Sequence, residues 1–173
     1  ANTFGVNAFK CKNLPYTVDE LVTAGIQLVQ EAIQEVRSSS NGGEKQPMYA
    51  ALDIGSIGKL LKPLGEISFD EAYKTFQEII IAGDKAGADL ILIETVSDSY
   101  EIKAAVLAAK ENSNLPVVVT MIFDESGKLL TGGDVASVTA MLEGLGVDAV
   151  GFNCGLGPEQ MKNLLPQLTA CCS

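Results

Sequence analysis

Several polar residues follow apolar, strand-like runs of the sequence, and these residues are the candidates for chemistry. They are Asn2-Thr3, Asp53, Glu94-Thr95, Phe123-Asp124 and Asn153-Cys154. Ligands of parallel α/β proteins bind at the carboxyl ends of the strands, so these side chains are expected to form one ring. Carboxylates suit an ammonium group, and amides or hydroxyls suit a carboxylate. The ring therefore predicts a pocket for an amino acid, with one thiol beside it.

Each of these residues also has a purely structural interpretation. Asp53 and Glu94 are suited to capping a neighbouring helix or to pairing with a lysine. Cys154 taken alone is typical of a small buried apolar residue, and Asn2-Thr3 and Asn153 are common in turns. Residue type and position leave both interpretations open.

The composition removes several classes of function. The chain contains no histidine, which excludes Ser-His-Asp and Cys-His mechanisms and imidazole metal ligands. A metal ion would have to be bound by thiolates and oxygens. Twenty-two acidic against twelve basic residues give a formal charge of −10, which argues against nucleic acid and membrane partners. The sequence has no apolar run of about 20 residues and no leader-like start, so we expect a cytoplasmic protein.

The four cysteines have no regular spacing; they are Cys11, Cys154, Cys171 and Cys172. With 47% apolar residues, the chain can build a core that needs no disulfide bonds. We therefore predict four reduced thiols.

Strand-like and helical patterns alternate along the chain. Capping boxes at Thr17 with Glu20 and at Ser68 with Glu71 predict the starts of two helices. The serine- and glycine-rich tract 38–43 predicts a surface loop, and another strand is expected before Asn2. The predicted helices cover 18–36, 68–86, 98–112, 134–145 and 158–169, and the predicted strands cover 48–52, 89–93, 116–121 and 149–152.

This alternation predicts an α/β fold, in which helices cover a parallel sheet. Such a sheet is either open and doubly wound or closed into an eight-unit barrel. The sequence shows no internal domain boundary, so residues 1–173 are expected to form one domain.

The same strand ends resemble, in order, those of the homocysteine S-methyltransferase family, in the form found in cobalamin-dependent methionine synthases. From the second to the sixth strand of the family's barrel, the similar segments are Asn2-Thr3-Phe4-Gly5, Asp53-Ile54-Gly55, Ile93-Glu94-Thr95, Thr120 to Asp124 with Leu129-Leu130-Thr131-Gly132, and Gly151-Phe152-Asn153-Cys154. The resemblance runs over nearly the whole chain, which is more specific than any single motif.

The resemblance implies a fold and a reaction. The fold would be a parallel (β/α) barrel of the TIM type, present as an incomplete barrel of about strands 2 to 6. The reaction would be methyl transfer to the zinc-activated thiol of homocysteine, giving methionine. The methyl donor implied is methylcobalamin bound by another domain, and the partners implied are cobalamin- and folate-binding domains or subunits. The fragment alone is expected to be inactive.

The resemblance also assigns residue roles. Cys154 matches the first of three zinc-binding cysteines, and Glu94 matches the acidic residue that binds the homocysteine ammonium group. Asn2, Thr3 and Asn153 fall at positions that line the substrate pocket. No catalytic residue is implied beyond the metal site.

The adjacent pair Cys171-Cys172 invites identification with the family's other two zinc ligands. A helix of about twelve residues starting at Pro158 would carry the chain roughly 18 Å back toward the amino ends of the strands. We therefore predict that this pair lies at the opposite end of the sheet from Cys154. The family's first, seventh and eighth strands have no counterpart in the sequence.

A second hypothesis comes from a different class of protein. An open parallel α/β sheet of this kind is also suited to a non-catalytic module that binds a small molecule, such as an amino acid, without a metal.

Overall fold

A computed structural model describes residues 3–39 and 46–172 of the chain. Asn2 and most of the tract 38–43 therefore lie outside the described residues. None of the helices in these two ranges combines the length and the hydropathy that a bilayer-spanning helix needs.

Reciprocal side-chain hydrogen bonds fix the starts of two helices, as predicted. The Thr17 amide donates to Glu20 Oε2 at 2.8 Å, and the Glu20 amide donates to Thr17 Oγ1 at 3.2 Å. Ser68 and Glu71 form the same capping box. The helices are α1 (Ala8–Cys11), α2 (Val18–Ser39), α3 (Phe69–Lys85), α4 (Ser99–Asn112), α5 (Val135–Gly144) and α6 (Pro158–Thr169).

Four parallel strands form one sheet in the described part of the chain. They are β1 (Ala51–Ile54), β2 (Leu90–Val96), β3 (Val117–Met121) and β4 (Ala149–Phe152). Each strand pairs with the next one along the chain, so the spatial order is β1-β2-β3-β4. A doubly wound sheet reverses its strand order at a switch point, whereas a β/α barrel adds each strand beside the previous one. The sequential order of these four strands therefore favours the winding of a β/α barrel.

The two faces of the sheet differ in burial. Leu52, Ile93 and Val119 are fully buried and belong to one apolar core, and a Cβ added to Gly83 of α3 would meet the Leu52 side chain. The residues that alternate with them, among them Leu92 and Val118, are only half-buried. We call this second side of the sheet the inner face. Side chains alternate along a strand, so the polar residues of the inner face all point the same way.

The predicted strand limits are wrong at two places. Residues 48–50 precede β1, which instead includes Asp53, and β2 continues through Glu94 and Thr95 to Val96. A strand predicted from an apolar run ends at the first polar residue. A strand with an accessible face carries polar residues inside its paired region, so the predicted strand is too short.

Two helical details also differ from the predictions. Helix α2 continues through Ser38 and Ser39, whose hydroxyls donate to main-chain carbonyls one turn back. The one-turn helix α1 is absent from the predictions. Its first amides are capped by Asn7 Oδ1, which accepts from Phe9 and Lys10.

Candidate functional site

Three side chains from two separate strand ends meet at the carboxyl edge of the sheet. Asn153 Nδ2 donates to Thr95 Oγ1 at 2.5 Å, and Asn153 Oδ1 accepts from the Thr95 amide at 3.1 Å. The exposed Cys154 Sγ lies 3.5 Å from Asn153 Nδ2 and 3.9 Å from Thr95 Oγ1. The structure thus places two hydrogen-bonding groups beside one accessible sulfur. We call Thr95, Asn153 and Cys154 the thiol cluster.

The main chain of the thiol cluster is strained at two residues. Thr95 has φ = 61° and Cys154 has φ = 56°, and no other non-glycine residue in the described ranges has a positive φ. Left-handed backbone is unfavourable for a β-branched residue such as threonine, and it costs of order 1–3 kcal/mol. The register between β2 and β3 also shifts between Ile93 and Val96. Backbone strain of this kind is concentrated at active sites and ligand-binding sites.

The two strained residues occupy equivalent positions in two alternate β/α units, those of β2 and β4. Asp89 Oδ2 accepts from the Ala50 amide at 2.7 Å, and Asp148 Oδ2 accepts from the Val117 amide at 2.8 Å, in each case next to the start of a strand. Thr95 follows Asp89 by six residues, as Cys154 follows Asp148. Thr95 is one of the candidate strand-end residues, but the family resemblance assigns it no role, and this repeated spacing is the sequence signal that supports one.

Polar groups of the inner face lie on the three strands before β4. Asp53 on β1 and Thr120 on β3 each have a buried side-chain oxygen, Oδ1 and Oγ1 respectively, without a hydrogen-bond partner among the described residues. The half-buried Glu94 lies on β2 between them. Buried polar groups are normally paired, so unpaired oxygens on an accessible face favour a polar ligand there.

Burial and the charge of Glu94 raise the pKa of Asp53 to about 6. Burial and the charge of Glu94 both disfavour the ionised form of Asp53. A cation placed between Asp53 and Glu94 would instead favour the ionised form of both carboxylates. The inner face beside Glu94 is therefore electrostatically suited to an ammonium group.

Thr3 lies next to these residues, but its hydroxyl is already bonded. It donates to the Asp53 carbonyl at 2.8 Å and accepts from the Asp53 amide at 3.0 Å. Thr3 is completely buried, and it fastens the amino-terminal segment to β1. The structure therefore brings Glu94, Asn153 and Cys154 to one edge, with Thr3 adjoining them through β1.

The terminal cysteine pair lies at the other end of the sheet, as predicted. Cys172 lines a cavity of about 380 Å³ with Asp148 and Ala149, at the amino end of β4. Cys154 follows the carboxyl end of the same strand. All four cysteines are free thiols, and no three His, Cys, Asp or Glu residues in the described ranges are grouped so that they could hold a metal ion.

A groove of about 500 Å³ opens beside the thiol cluster at the carboxyl edge. Ile122, Phe123 and Leu129 line it, and Gly155, the neighbour of Cys154, closes one side. A Cβ at Gly155 would lie 2.7 Å from the Ile122 side chain, and its φ is 70°, so this position requires glycine. The groove thus adjoins the residue that follows Cys154 in the chain.

Comparison with known proteins assigns this arrangement to a family. The profile described as homocysteine S-methyltransferase matches residues 1–173, the entire chain. This chain belongs to the homocysteine S-methyltransferase family.

Individual relatives agree with this assignment. The methionine synthases of Mycobacterium leprae (strain TN) and Mycobacterium tuberculosis (strain ATCC 25618 / H37Rv) are each 27% identical to it over 97% of its length. The chain spans only 14% of the length of either protein.

Solved structures show the same fold. The metallated form of the homocysteine methyltransferase MmuM from Escherichia coli superposes with a TM-score of 0.83, at 17% identity, over 98% of this chain and 62% of that one. The apo form gives a TM-score of 0.73 at 20% identity, over 88% and 55% of the two chains. These two structures thus share the overall fold of this chain.

Replacing Asn153 tests whether it holds Thr95 in its strained conformation. We expect Asn153→Ala to lower the free energy of unfolding by about 1–3 kcal/mol, because both bonds to Thr95 are lost while the strain remains. Urea unfolding followed by circular dichroism measures the change. In a Thr95→Gly background the same substitution should cost clearly less, since the bond to Oγ1 is already absent and glycine adopts positive φ freely. An equal cost in both backgrounds would show that Asn153 does not act through Thr95.

Proposed function

We propose that the carboxyl edge of this sheet is the homocysteine-binding site of a methyltransferase that forms methionine. The observation that carries the proposal is the convergence of Cys154, Asn153 and Thr95 at a strained strand edge, in a chain that matches the family over its full length. Because the chain spans a small part of its methionine synthase relatives, the reaction belongs to the intact protein rather than to this segment alone.

Glu94 is the group proposed to bind the substrate ammonium. Its carboxylate lies on the inner face, one strand away from the unpaired Asp53 Oδ1, and the two charges already repel each other. An ammonium group between them would form charge-assisted hydrogen bonds with both. Asn2, Thr3 and Asn153 remain the proposed pocket-lining residues, with Thr3 acting through the backbone of Asp53.

Zinc is proposed to bind at Cys154 together with ligands from outside the described residues. An accessible thiol with neighbouring donors suits one ligand of a thiolate-bound zinc ion. The described residues do not supply the remaining ligands, and Cys171-Cys172 lies at the wrong end of the sheet. We therefore expect tight zinc binding by the intact protein and weak binding by residues 1–173 alone. The structural relative has been determined in a metallated form, which agrees with this proposal.

The proposed reaction is a displacement at the methyl carbon. The substrate sulfur forms a bond to that carbon, the bond from the carbon to the donor breaks, and the donor keeps that electron pair. The thiol proton passes to solvent before attack, because the thiolate is the nucleophilic form. Methylcobalamin on another domain is the proposed donor, and folate- and cobalamin-binding domains or subunits are the proposed partners. The groove beside Cys154 provides access for that donor.

The winding of the sheet supports an incomplete barrel as the domain formed by residues 1–173. Four strands in sequential order would correspond to strands 3 to 6, and Thr3-Phe4 would follow strand 2, since Gly55 donates to the Phe4 carbonyl at 3.1 Å. We also propose that the protein acts in the cytoplasm.

The alternative is a binding module that holds an amino acid without metal or methyl transfer. The unpaired oxygens of Asp53 and Thr120 favour a polar ligand in either case. The test is methionine formation by the zinc-loaded intact protein, supplied with homocysteine and methylcobalamin. Homocysteine-dependent methionine formation supports the enzyme, whereas homocysteine binding without any methionine from this donor supports the module.

A further inference from the structure

Glu101 is a buried carboxylate that the proposed reaction does not use. It lies in the first turn of α4 and is only 3% exposed. Its Oε1 accepts from the Ile57 amide at 2.6 Å, and its Oε2 accepts from the Ser56 hydroxyl at 3.1 Å. Both partners belong to the loop that joins β1 to α3. One side chain of α4 therefore holds two consecutive residues of a loop that is 44 to 45 positions away in the sequence.

Other contacts hold the same loop from the amino-terminal side. The Phe4 ring packs directly against Gly55, where an added Cβ would lie 2.4 Å from it. Lys10 Nζ donates to the Ser56 carbonyl at 2.9 Å. The loop from Gly55 to Ile57 is thus fixed between α4 and the amino-terminal segment.

This loop continues directly from the inner face. Asp53 and Ile54 end β1, Gly55 follows them, and Ser56 and Ile57 are the residues bound by Glu101. The two residues bound by Glu101 thus lie only three and four positions after Asp53. Asp53 is the residue next to which the substrate ammonium is proposed to bind.

We propose that Glu101 is a positioning residue, whose carboxylate holds the β1–α3 loop so that the inner face keeps its substrate-binding geometry. The inference rests on the proposed function for its substrate, homocysteine. Glu101 acts only through Ser56 and Ile57, so its loss should weaken substrate binding more than it slows the chemical step.

The charges around Glu101 determine how this contact responds to pH. Asp98 caps the same helix, Lys10 approaches from α1, and Lys59 lines the same small cavity from the loop. Burial is the main cause that raises the pKa of Glu101 to about 6, and Asp98 adds to it, while the Ile57 and Ser56 bonds and Lys10 oppose it. The ionised form is the stronger acceptor, so the contact is at full strength above this pKa and weakens as the pH falls through it.

The first test uses steady-state kinetics of the intact protein with homocysteine. Glu101→Ala should raise KM for homocysteine about tenfold and change kcat less than about threefold, because one charged acceptor is lost outside the reacting centre. Glu101→Gln keeps an acceptor for the Ile57 amide and should restore KM to within about threefold of the unmodified protein. Lys103→Ala, at an exposed position on the same helix, is the matched control and should change neither constant.

The second test measures hydrogen exchange at the Ile57 amide in the same protein. Its protection factor should fall about tenfold as the pH drops through 6. The reason is that a hydrogen bond to a charged carboxylate is stronger than one to a neutral carboxyl group. In Glu101→Gln the protection should not depend on pH over this range. Ser56→Ala removes only one of the two bonds and should keep most of the protection, which covers the case in which Glu101→Ala does not fold.

Two results would overturn the inference. One is a KM in Glu101→Ala within twofold of the unmodified protein; the other is equal impairment in the Ala and Gln variants, which indicates a general folding role. If the unmodified protein forms no methionine, the proposed function fails instead. The Ile57 protection then still decides whether Glu101 holds the loop, because that measurement needs no substrate.

Discussion

Replacing Cys154 with serine should reduce methionine formation by the intact protein by more than about 100-fold. Loss of a residue that hydrogen-bonds a metal ligand typically lowers metal affinity or activity roughly 10- to 100-fold. The loss of a ligand itself should have a larger effect. Serine keeps the size of the side chain and its place beside Asn153, so the change isolates the sulfur. The measurement is kcat/KM for homocysteine, together with the zinc content of the purified protein.

The terminal cysteines provide a matched control for this substitution. Cys171→Ser and Cys172→Ser remove thiols from the opposite end of the sheet and should leave kcat/KM within about twofold, as expected for surface changes away from a site. If either terminal variant is as inactive as Cys154→Ser, the terminal pair shares the site and the fold described above does not persist in the intact protein.

Glu94→Gln should weaken homocysteine use by roughly 10- to 150-fold in kcat/KM. A hydrogen bond to a charged group contributes about 1.5–3 kcal/mol, and the amide keeps the shape of the side chain while it removes the charge. The loss should appear mainly in KM, since the ammonium group takes no part in the reacting bonds.

A substrate analogue without the ammonium group makes the Glu94 test specific. The unmodified protein should discriminate strongly between homocysteine and 4-mercaptobutyrate. Glu94→Gln should discriminate between the two thiols much less, with Asp53 keeping part of the preference. Glu125→Gln, at an exposed loop position, is the control for charge alone. Unchanged discrimination in Glu94→Gln would show that another group binds the ammonium.

The sequence predicts most of the helices because their end signals are local. The boxes at Thr17 and Ser68 bind amides within three residues of themselves, so the pattern and the structure coincide. The sheet order is different, because it depends on pairings between strands tens of residues apart. The alternation of strands and helices therefore leaves the barrel and the doubly wound sheet equally open, and only the pairing of β1 through β4 favours the barrel.

The sequence predicts only those site residues that a local pattern identifies. Asn153 and Cys154 stand directly after a short apolar strand, where position alone singles them out. The role of Thr95 beside Cys154 and the role of Glu101 depend on contacts across the fold, at Asn153 and at Ser56 with Ile57. Neither the left-handed backbone at Thr95 nor the burial of Glu101 is visible in the residue type, and for glutamate burial is the exception.

Hydrogen–deuterium exchange of the intact protein with and without homocysteine tests the central claim most directly. The account predicts that homocysteine slows exchange in peptides that cover 93–97 and 151–156, at the carboxyl edge of the sheet. Peptides that cover 145–149 and 170–172, at the amino edge around Cys172, should be unchanged. Protection confined to the amino edge, or no protection at saturating homocysteine, would contradict the assignment of the substrate site to the thiol cluster.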